Sequence, residues 1–295
     1  MERISNARLI LFLLLLLMVA QGCEGPATFY ATPQPPPAPE QPLTIHFIDV
    51  GQGDAILIQD AEGNAALIDG GNEDSLALKY LQGLGVKKID LMIATHPHSD
   101  HIGGLIQILN GMPVAKVITN GQMHTTPTYE QFLDAISGAK AVYGEVKRGD
   151  AITWGKISFK VLNPATNTGD NLNGNSIVLW FTYGQTSVLL MGDADAYAEN
   201  SILSTGVTVK ADILKVGHHG SRISSSIEFL EKVSPTLAVY SAGVENSFGH
   251  PAPQTIAKLK SLGAQVIGTD KNGTIIIKMN EAGYTVLNKQ GSNDD

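Results

Sequence analysis

The chain has 295 residues, of which 43% are hydrophobic and 16% charged, and a formal net charge of −8. This composition excludes wholesale disorder and supports a sizeable core. The acidic balance argues against a broad basic surface for polyanions. The single cysteine, Cys23, excludes an intrachain disulfide.

The first 22 residues have the layout of a secretory signal peptide. Arg3 and Arg8 precede an apolar run from Leu9 to Ala20 that is too short to span a bilayer comfortably. The segment "AQGC", which ends at Cys23, resembles a bacterial lipobox, in which the cysteine is lipidated and becomes the first mature residue. We therefore expect an extracytoplasmic protein anchored to the membrane by lipid on Cys23. An ordinary signal peptide and an uncleaved anchor are the alternatives.

A proline-rich segment follows at residues 23–42 and includes "ATPQPPPAPEQP". It has few groups that can form a core and favours extended polyproline conformation. We expect a tether here, with an ordered arm as the alternative. One large folded domain is then predicted at residues 43–288, followed by an acidic, disordered tail at 289–295.

Strands and helices alternate in the first half of this domain. Two runs of apolar and β-branched residues, at 43–50 and 54–60, are separated by Gly51 and Gly53 and predict paired strands. The pattern next predicts a strand at 65–71, a helix at 74–85 and a buried strand that starts near residue 88 and runs into a histidine cluster. It continues with a helix at 101–110, a strand at 115–120, a helix at 128–137 and a strand at 140–146.

The second half of the domain repeats this organisation weakly. Strands dominate residues 151–191, and the pattern then predicts a strand at 211–216, a helix at 225–234, a strand at 236–241, a helix at 253–263 and strands at 274–279 and 284–288. Two runs of strands, each followed by alternating helices and strands, predict an α/β fold with two packed sheets and helices outside. This is a four-layer αββα sandwich.

The histidine cluster "THPHSDHIGG" places His96, His98, Asp100 and His101 within six residues. Side chains at alternate positions of an extended segment point the same way, so His96 and His98 can face one point while Asp100 and His101 face a second. Imidazole and carboxylate donors suit zinc, manganese or iron. Because four ligands exceed what one open site draws from six residues, two metal ions are predicted. A solvated histidine-rich loop is the alternative.

These residues resemble a known family. "HPHSDH" matches the HxHxDH motif of the metallo-β-lactamase fold, and "IHFIDVGQGDAILIQ", "NLNGNSIVLWF", "SVLLMGDAD", "ILKVGHHGS" and "SAGVENSFGHP" resemble the ComEC-type branch, the hydrolase domain of bacterial DNA-uptake proteins. The resemblance extends from about residue 43 to residue 278. It implies the four-layer sandwich and a site for two divalent ions.

The resemblance also implies individual roles. His96 and His98 would bind one metal ion, and Asp100 and His101 the other. Asp193 would bridge the two ions, which a carboxylate with two oxygens can do. The implied catalytic residues are Asp100, Asp193 and His219. An alternative for Asp193 is to cap the helix that follows it.

One histidine of "GHHG" would complete the second site. If His218 and His219 continue a strand, their side chains alternate, so one binds metal and its neighbour meets the substrate or supports a ligand. Which residue does which is left open at this point, and a surface turn is the alternative.

The first metal site is expected to lack an imidazole, because the sequence has no histidine between Tyr143 and Gly192. "DNLNGNSIVL" stands in that region instead. Asn175, Ser176 or the substrate would then complete the site. Fewer nitrogen donors make manganese competitive with zinc.

Further candidates are donors to a substrate phosphate. Asn246 and His250 lie in "ENSFGHP", and Ser221 and Arg222 follow "GHHG". Structural turns and solvated charges are the alternatives. In "DVGQGDA", Asp49 and Asp54 are candidates for orienting ligand histidines, or for building a turn. A short basic patch of five residues is also considered, namely Lys147, Arg148, Lys210, Lys215 and Arg222.

Two adjacent divalent ions would activate water for hydrolysis. The chain has neither a G-x-S-x-G motif nor a cysteine in the predicted domain. We expect a phosphodiesterase or nuclease acting on DNA or another phosphodiester. The alternatives are a lactonase-like or β-lactamase-like acyl hydrolase and a metal-bearing surface protein that binds without turnover. The sequence leaves the oligomeric state open.

Overall fold

The computed structural model describes residues 42–165 and 169–287. The predicted signal peptide, Cys23, the tether up to residue 41 and the predicted tail lie outside the described residues. Within the described part of the chain, none of the helices combines the length and apolarity that a membrane crossing requires.

The first sheet has eight strands and is built from both ends of the domain. Its spatial order is β15 (Gly283–Val286), β14 (Ile275–Asn280), β1 (Leu43–Phe47), β2 (Ile56–Gln59), β3 (Ala65–Ile68), β4 (Leu91–Ile93), β5 (Lys116–Thr119) and β6 (Val142–Glu145). The strands from β15 to β3 pair antiparallel, and those from β3 to β6 pair parallel.

The second sheet has seven strands and repeats this change of direction. Its spatial order is β13 (Gln265–Gly268), β12 (Leu237–Tyr240), β11 (Ile213–Lys215), β10 (Thr186–Leu190), β9 (Val178–Tyr183), β8 (Ile157–Asn163) and β7 (Ala151–Trp154). Strands β7 to β10 pair antiparallel and β10 to β13 parallel. The sequence did not predict β13.

Helices cover the outer face of each sheet. Over the first sheet lie α1 (Leu76–Gly83), α2 (Ser99–Gly111) and α3 (Pro127–Ala139); over the second lie α4 (Ala196–Leu203), α5 (Ile227–Val233) and α6 (Pro253–Ser261). A further short helix, α7 (Thr269–Asn272), follows β13. Alternating burial along β8, where Ile157, Phe159 and Val161 are buried, places one face of the sheet inward.

The main core lies between the two sheets, where buried side chains from both interdigitate. It includes the edge-to-face pair of Phe159 and Phe181, whose ring centroids are 5.0 Å apart. With the helix-covered cores on either side, this confirms the predicted four-layer αββα architecture.

Parallel strands of both sheets end at one edge of the sandwich, and the loops that follow β3, β4, β10, β11 and β12 meet there. The turn between β1 and β2 also reaches this edge: the backbone N–H of Asp54 donates to the backbone oxygen of Asp100 at 3.2 Å. Gly53 is required for this approach, since a Cβ at Gly53 would collide with that oxygen and its φ is +138°.

Candidate metal centre

The histidine motif bridges a strand end and a helix start, as predicted. β4 ends at Ile93, His98 occupies the N-cap position of α2, and Asp100 lies in the first turn of that helix. His96 and His101 are buried, whereas His98 is half-buried. The motif therefore presents side chains from an extended segment and from a helical turn to one point.

Asp69 holds this loop in place from the end of β3. One carboxylate oxygen accepts from the backbone N–H of Thr95 at 2.8 Å; the other accepts from the Thr95 hydroxyl at 2.7 Å and lies 2.8 Å from His101 Nδ1. A carboxylate behind a histidine fixes its tautomer and turns Nε2 toward the site. Sequence reasoning missed Asp69, although an acid directly after a buried strand in "ALIDGG" was the available signal.

The second half of the domain contributes Asp193, which lies in the turn after β10. Its backbone N–H donates to the Ser176 hydroxyl at 3.2 Å. Asp193 does not cap the next helix, because Asp195 is the N-cap of α4 and its side chain accepts from Tyr197 N and Ala198 N. The helix-capping alternative for Asp193 was therefore wrong.

His218 and His219 lie in a 3₁₀ turn at Gly217–Gly220, after β11. Both have left-handed backbone conformation, with φ of 51° and 54°, which is strained for residues other than glycine. They do not continue the strand, so the alternation expected from a strand does not apply. Both side chains reach Asp193.

The two oxygens of Asp193 face different histidines. Oδ1 lies 3.3 Å from His101 Nε2 and 3.4 Å from His219 Nε2, whereas Oδ2 lies 3.8 Å from His96 Nε2 and 3.8 Å from His218 Nε2. Asp193 thus lies between two pairs of histidines, with one oxygen facing each pair. A carboxylate that bridges two metal ions would be placed in this way.

Among the described residues, four sets of three histidines and aspartates have donor atoms that all lie within 4.8 Å of one another, and the two sets without Asp54 are termed the donor groups. The first donor group consists of His96, His98 and Asp193, and the second donor group of Asp100, His101 and His219. Asp100 and His219 are in direct contact, with 3.3 Å between Asp100 Oδ2 and His219 Nε2. The structure therefore assigns His219 to the second group and places His218 on the Oδ2 side of Asp193, beside the first.

The chemistry of these groups fits divalent metal ions. Asp193 Oδ1, His101 Nε2 and His219 Nε2 are buried without a hydrogen-bond partner, a costly arrangement unless an ion joins them. Burial alone would lower the pKa of His101 and His219, but neighbouring carboxylates, with Asp193 the strongest, raise it well above its ordinary value. The carboxylates of the site therefore stabilise positive charge, whether it is a proton on a histidine or a metal ion.

The histidines of the first donor group, and His218 beside it, have lowered rather than raised pKa values. Burial, reinforced by the charge of His101, lowers the pKa of His96 well below its ordinary value. Burial also lowers the pKa of His98 and of His218. These imidazoles remain neutral at physiological pH and can donate a lone pair to a metal ion without first losing a proton.

Behind the second donor group lies a buried ion pair. Lys215 Nζ is 2.7 Å from Asp54 Oδ2, and Asp54 Oδ1 lies 3.4 Å from His219 Nδ1. Burial raises the pKa of Asp54, but Lys215 and then His219 outweigh it and bring the pKa to about 2. Lys215 is fully buried, so its inclusion in a surface basic patch was wrong.

Other predicted residues brace the site from behind. Ser176 is buried against the Asp193 backbone, and the backbone oxygen of Asn175 accepts from Asn120 Nδ2 at 2.9 Å. Ser221 donates its backbone N–H to the His218 oxygen at 2.8 Å and so closes the histidine turn. Asp49 is exposed and accepts from Gly51 N at 3.1 Å, which is the turn-building alternative.

The "ENSFGHP" loop divides the two remaining predicted residues. The Asn246 amide bonds within the loop, including to Phe248 N at 3.2 Å and His250 N at 3.0 Å. His250 turns toward the site, with its ring centroid 5.4 Å from that of His218. His250 thus reaches the metal centre, whereas Asn246 shapes the loop that carries it.

An open cleft of about 640 Å³ leads to the donor groups. Most of the residues that line this cleft were not predicted from the sequence. They include Gln52, His124, Asn173 and Phe248, which are far apart in the chain. Asn173 Nδ2 lies 3.4 Å from His218 Nε2. Asn173 and His218 thus occupy the open side of the first donor group, where an imidazole was not expected.

Two curated proteins of similar sequence are named as competence-related. ComE operon protein 3 of Bacillus subtilis is 31% identical over 250 residues, covering 78% of this chain and 32% of that protein. Competence protein ComA of Neisseria gonorrhoeae is 28% identical over 254 residues, covering 85% of this chain and 34% of that protein. The chain thus spans about a third of the length of these curated relatives.

Among solved structures, the metallo-β-lactamase fold protein YhfI of Bacillus subtilis superposes with a TM-score of 0.55 at 13% identity. The superposition covers 80% of this chain and 99% of YhfI. At this level of identity the likeness shows the fold alone.

Four layers with two histidine–aspartate donor groups at one edge define a class of proteins that are generally metal-dependent hydrolases. The profile of the metallo-beta-lactamase superfamily matches residues 48–244, and the chain belongs to this superfamily. The relatives named above confirm the predicted resemblance to the ComEC-type branch.

Proposed function

We propose that the domain hydrolyses phosphodiester bonds, in DNA or another phosphodiester, with two divalent metal ions, zinc or manganese. The observation that carries this proposal is Asp193, whose two oxygens face the two donor groups separately. When bound, two adjacent divalent ions lower the pKa of coordinated water toward neutrality and neutralise charge on the phosphoryl oxygens.

The protein's own residues hold and orient these components. Asp193 and the two donor groups bind the ions, and Asp100, which lines the cleft, belongs to the second group. His218 and Asn173 face the cleft beside the first group. There the Asn173 amide donates a hydrogen bond to a phosphoryl oxygen, and the neutral His218 imidazole offers its lone pair to the ion of the first group. The strained turn at His218 aims this side chain before the substrate arrives.

Support for a phosphodiester substrate comes from the site and from the relatives. Cys23, the only cysteine of the chain, lies outside the matched domain, which leaves hydrolysis by activated water as the natural chemistry. The sequence resembles the hydrolase domain of bacterial DNA-uptake proteins, and a matched relative carries the name competence protein, so nucleic acid is the phosphodiester that we propose. The present chain covers only part of that relative.

Turnover of bis(p-nitrophenyl) phosphate by the full-length chain in detergent tests the proposal. We expect hydrolysis in Mn²⁺ or Zn²⁺ and none in EDTA, with Asp193→Asn at background. Asp195→Asn is the matched control: it lies two residues away, and asparagine caps a helix as well as aspartate does, so activity should persist. Inactivity in every divalent metal, or turnover of nitrocefin or lactones instead, would refute the proposal.

The proposal extends to location: the protein is exported and held at the membrane by lipid on Cys23. Its support is the signal-like sequence of residues 1–22 and the "AQGC" segment. Fractionation of bacteria that express the chain tests it. Wild-type protein should remain with membranes after a high-salt wash, and Cys23→Ala should move to the soluble fraction. An unchanged distribution of Cys23→Ala would contradict lipid anchoring.

A further inference from the structure

Phe248 is an exposed aromatic residue at the entrance to the metal centre. It is 68% exposed, yet it lines the same cleft as His98, Asp100, Asp193 and His218. Single exposed hydrophobic residues are common on protein surfaces. The position of this ring beside the candidate metal ligands is what suggests a role.

A column of rings connects Phe248 to the second donor group. The Phe248 and His250 rings are 5.8 Å apart with an angle of 18° between their planes, and His250 and His219 are 6.2 Å apart at 29°. Among the described residues, this column ends at Phe248. A flat ring entering the cleft from solvent would extend it.

The backbone that carries Phe248 is held in position by hydrogen bonds within its loop. Asn246 Oδ1 accepts from the backbone N–H groups of Phe248 and His250 at 3.2 and 3.0 Å, and Asn246 Nδ2 donates to the oxygen of Gly243 at 2.8 Å. A loop fixed in this way loses little conformational freedom when a ligand stacks on the ring that it carries.

The charge of the cleft limits which part of a substrate it can recognise. Its described lining contains Asp100 and Asp193 but no lysine or arginine, so it offers the backbone of a polyanion no side-chain cation. Bases provide the alternative contact, because every base has a π-face that stacks on an aromatic side chain. The volume of about 640 Å³ is that of a small-molecule site, and a base can stack on an exposed ring when it is unpaired, as in a single strand.

We propose that Phe248 is a stacking platform for a nucleobase of a single-stranded nucleic acid whose adjoining phosphodiester lies at the metal centre. The inference rests on the proposed function and assigns its substrate class. The ring binds the flanking base and contacts no reacting atom. Phe248 is therefore a specificity-determining residue rather than a catalytic one.

Kinetics on single-stranded hexathymidylate test this role. Stacking of one base contributes roughly 1–3 kcal/mol, which corresponds to about 5- to 150-fold in affinity. Removing the ring in Phe248→Ala should therefore raise KM by about 5- to 150-fold and leave kcat unchanged. Phe248→Leu, which keeps apolar bulk without a π-face, should resemble Phe248→Ala, and Phe248→Trp should resemble wild type. On hexamers in which an abasic residue replaces the stacked base, wild type and Phe248→Ala should have the same KM.

A binding measurement without turnover complements the kinetics. With the metal ions bound, a non-hydrolysable methylenephosphonate analogue of hexathymidylate should quench the emission of Phe248→Trp beyond any change in wild type, whose own Trp154 and Trp180 are the reference. An abasic hexamer with the same backbone should not quench it.

Equal KM values for wild type and Phe248→Ala on hexathymidylate, or no added quenching, would overturn the inference. So would a rise in KM of the same size on every abasic hexamer, which would indicate a role in loop structure. Hydrolysis of bis(p-nitrophenyl) phosphate without hydrolysis of hexathymidylate would overturn only the nucleic acid assignment. Failure to hydrolyse any phosphodiester would instead refute the proposed function.

Discussion

The two donor groups share Asp193 but differ in what lies behind their histidines. In the second group, His101 Nδ1 is 2.8 Å from the Asp69 carboxylate, and His219 Nδ1 is 3.0 Å from the backbone oxygen of Ser241. In the first group, His96 Nδ1 is 3.1 Å from the Thr95 hydroxyl and His98 Nδ1 is 2.9 Å from His96 Nε2, so neither Nδ1 has a carboxylate or carbonyl oxygen behind it.

This difference predicts unequal metal binding. A carboxylate or carbonyl oxygen behind a histidine fixes the ring and increases its basicity as a ligand. Burial does not separate the groups, because each has two buried members and one half-buried member, His98 in the first and Asp100 in the second. From the support behind the histidines, we expect the second group to hold its ion more tightly, and the first group to exchange its ion and meet the substrate.

Removing one histidine from each group should have the largest effect. His101→Ala takes a buttressed imidazole from the second group, so we expect loss of both ions on dialysis and activity at background. His98→Ala should also be inactive but should retain the ion of the second group. Metal content measured by mass spectrometry separates the two outcomes. Equal metal loss in both variants would show that the groups are equivalent.

The buried ion pair behind the second group should dominate the stability of the site. Lys215→Met leaves Asp54 buried without its partner and should lower the free energy of unfolding by about 3–5 kcal/mol. The control is Lys88→Met, whose exposed bridge to Asp90 should contribute less than about 1 kcal/mol. Urea unfolding followed by circular dichroism measures both. A Lys215→Met variant as stable as wild type would contradict this account of the pair.

Asp69 should tune the metal affinity of the second group without binding the ion. Asp69→Asn removes the carboxylate behind His101, so metal affinity should fall by about 10–100-fold. Asp49→Asn, at an exposed turn, is the matched control and should change nothing. Isothermal titration with Mn²⁺ gives the affinities. The buttressing role fails if both variants bind metal as wild type does.

His46, on β1 and outside both groups, should have the smallest effect, through pH. Burial lowers its pKa to about 4, so between about pH 6.5 and pH 4 the unfolded chain binds a proton that the folded chain does not, and stability falls as pH falls. From pH 7.5 to 5.5 this costs about 1 kcal/mol. His46→Gln, which keeps a hydrogen-bonding group near Tyr80, should lose less. Equal losses would place the pH sensitivity elsewhere.

Residues that are close in sequence were the easiest to predict. The arrangement of the histidine motif depends only on local structure, because a strand end and one helical turn suffice to point its side chains in two directions. The motif consists of His96, His98, Asp100 and His101. Alternating strands and helices likewise indicated both halves of the sandwich. Strand and helix periodicity was therefore sufficient for features that depend only on residues close in sequence.

Residues whose role depends on the assembled fold could not be predicted. From the sequence "ILKVGHHGS", Lys215 was interpreted as a surface cation. It is buried against Asp54 only because the two sheets pack together in the folded domain. Phe248 and Asn173 lie far apart in the chain and share a cleft only after folding. The left-handed turn at His218 was missed because residues other than glycine rarely adopt that conformation.

The most direct test is a competitive chelator titration of the wild-type chain loaded with Zn²⁺, with bound metal counted by mass spectrometry and activity measured on the same samples. We expect two ions per chain at saturation, lost in two separate steps, with phosphodiesterase activity disappearing in the first step while one ion remains. A single bound ion at saturation, or two ions lost together in one step, would contradict a centre built from one buttressed and one open donor group.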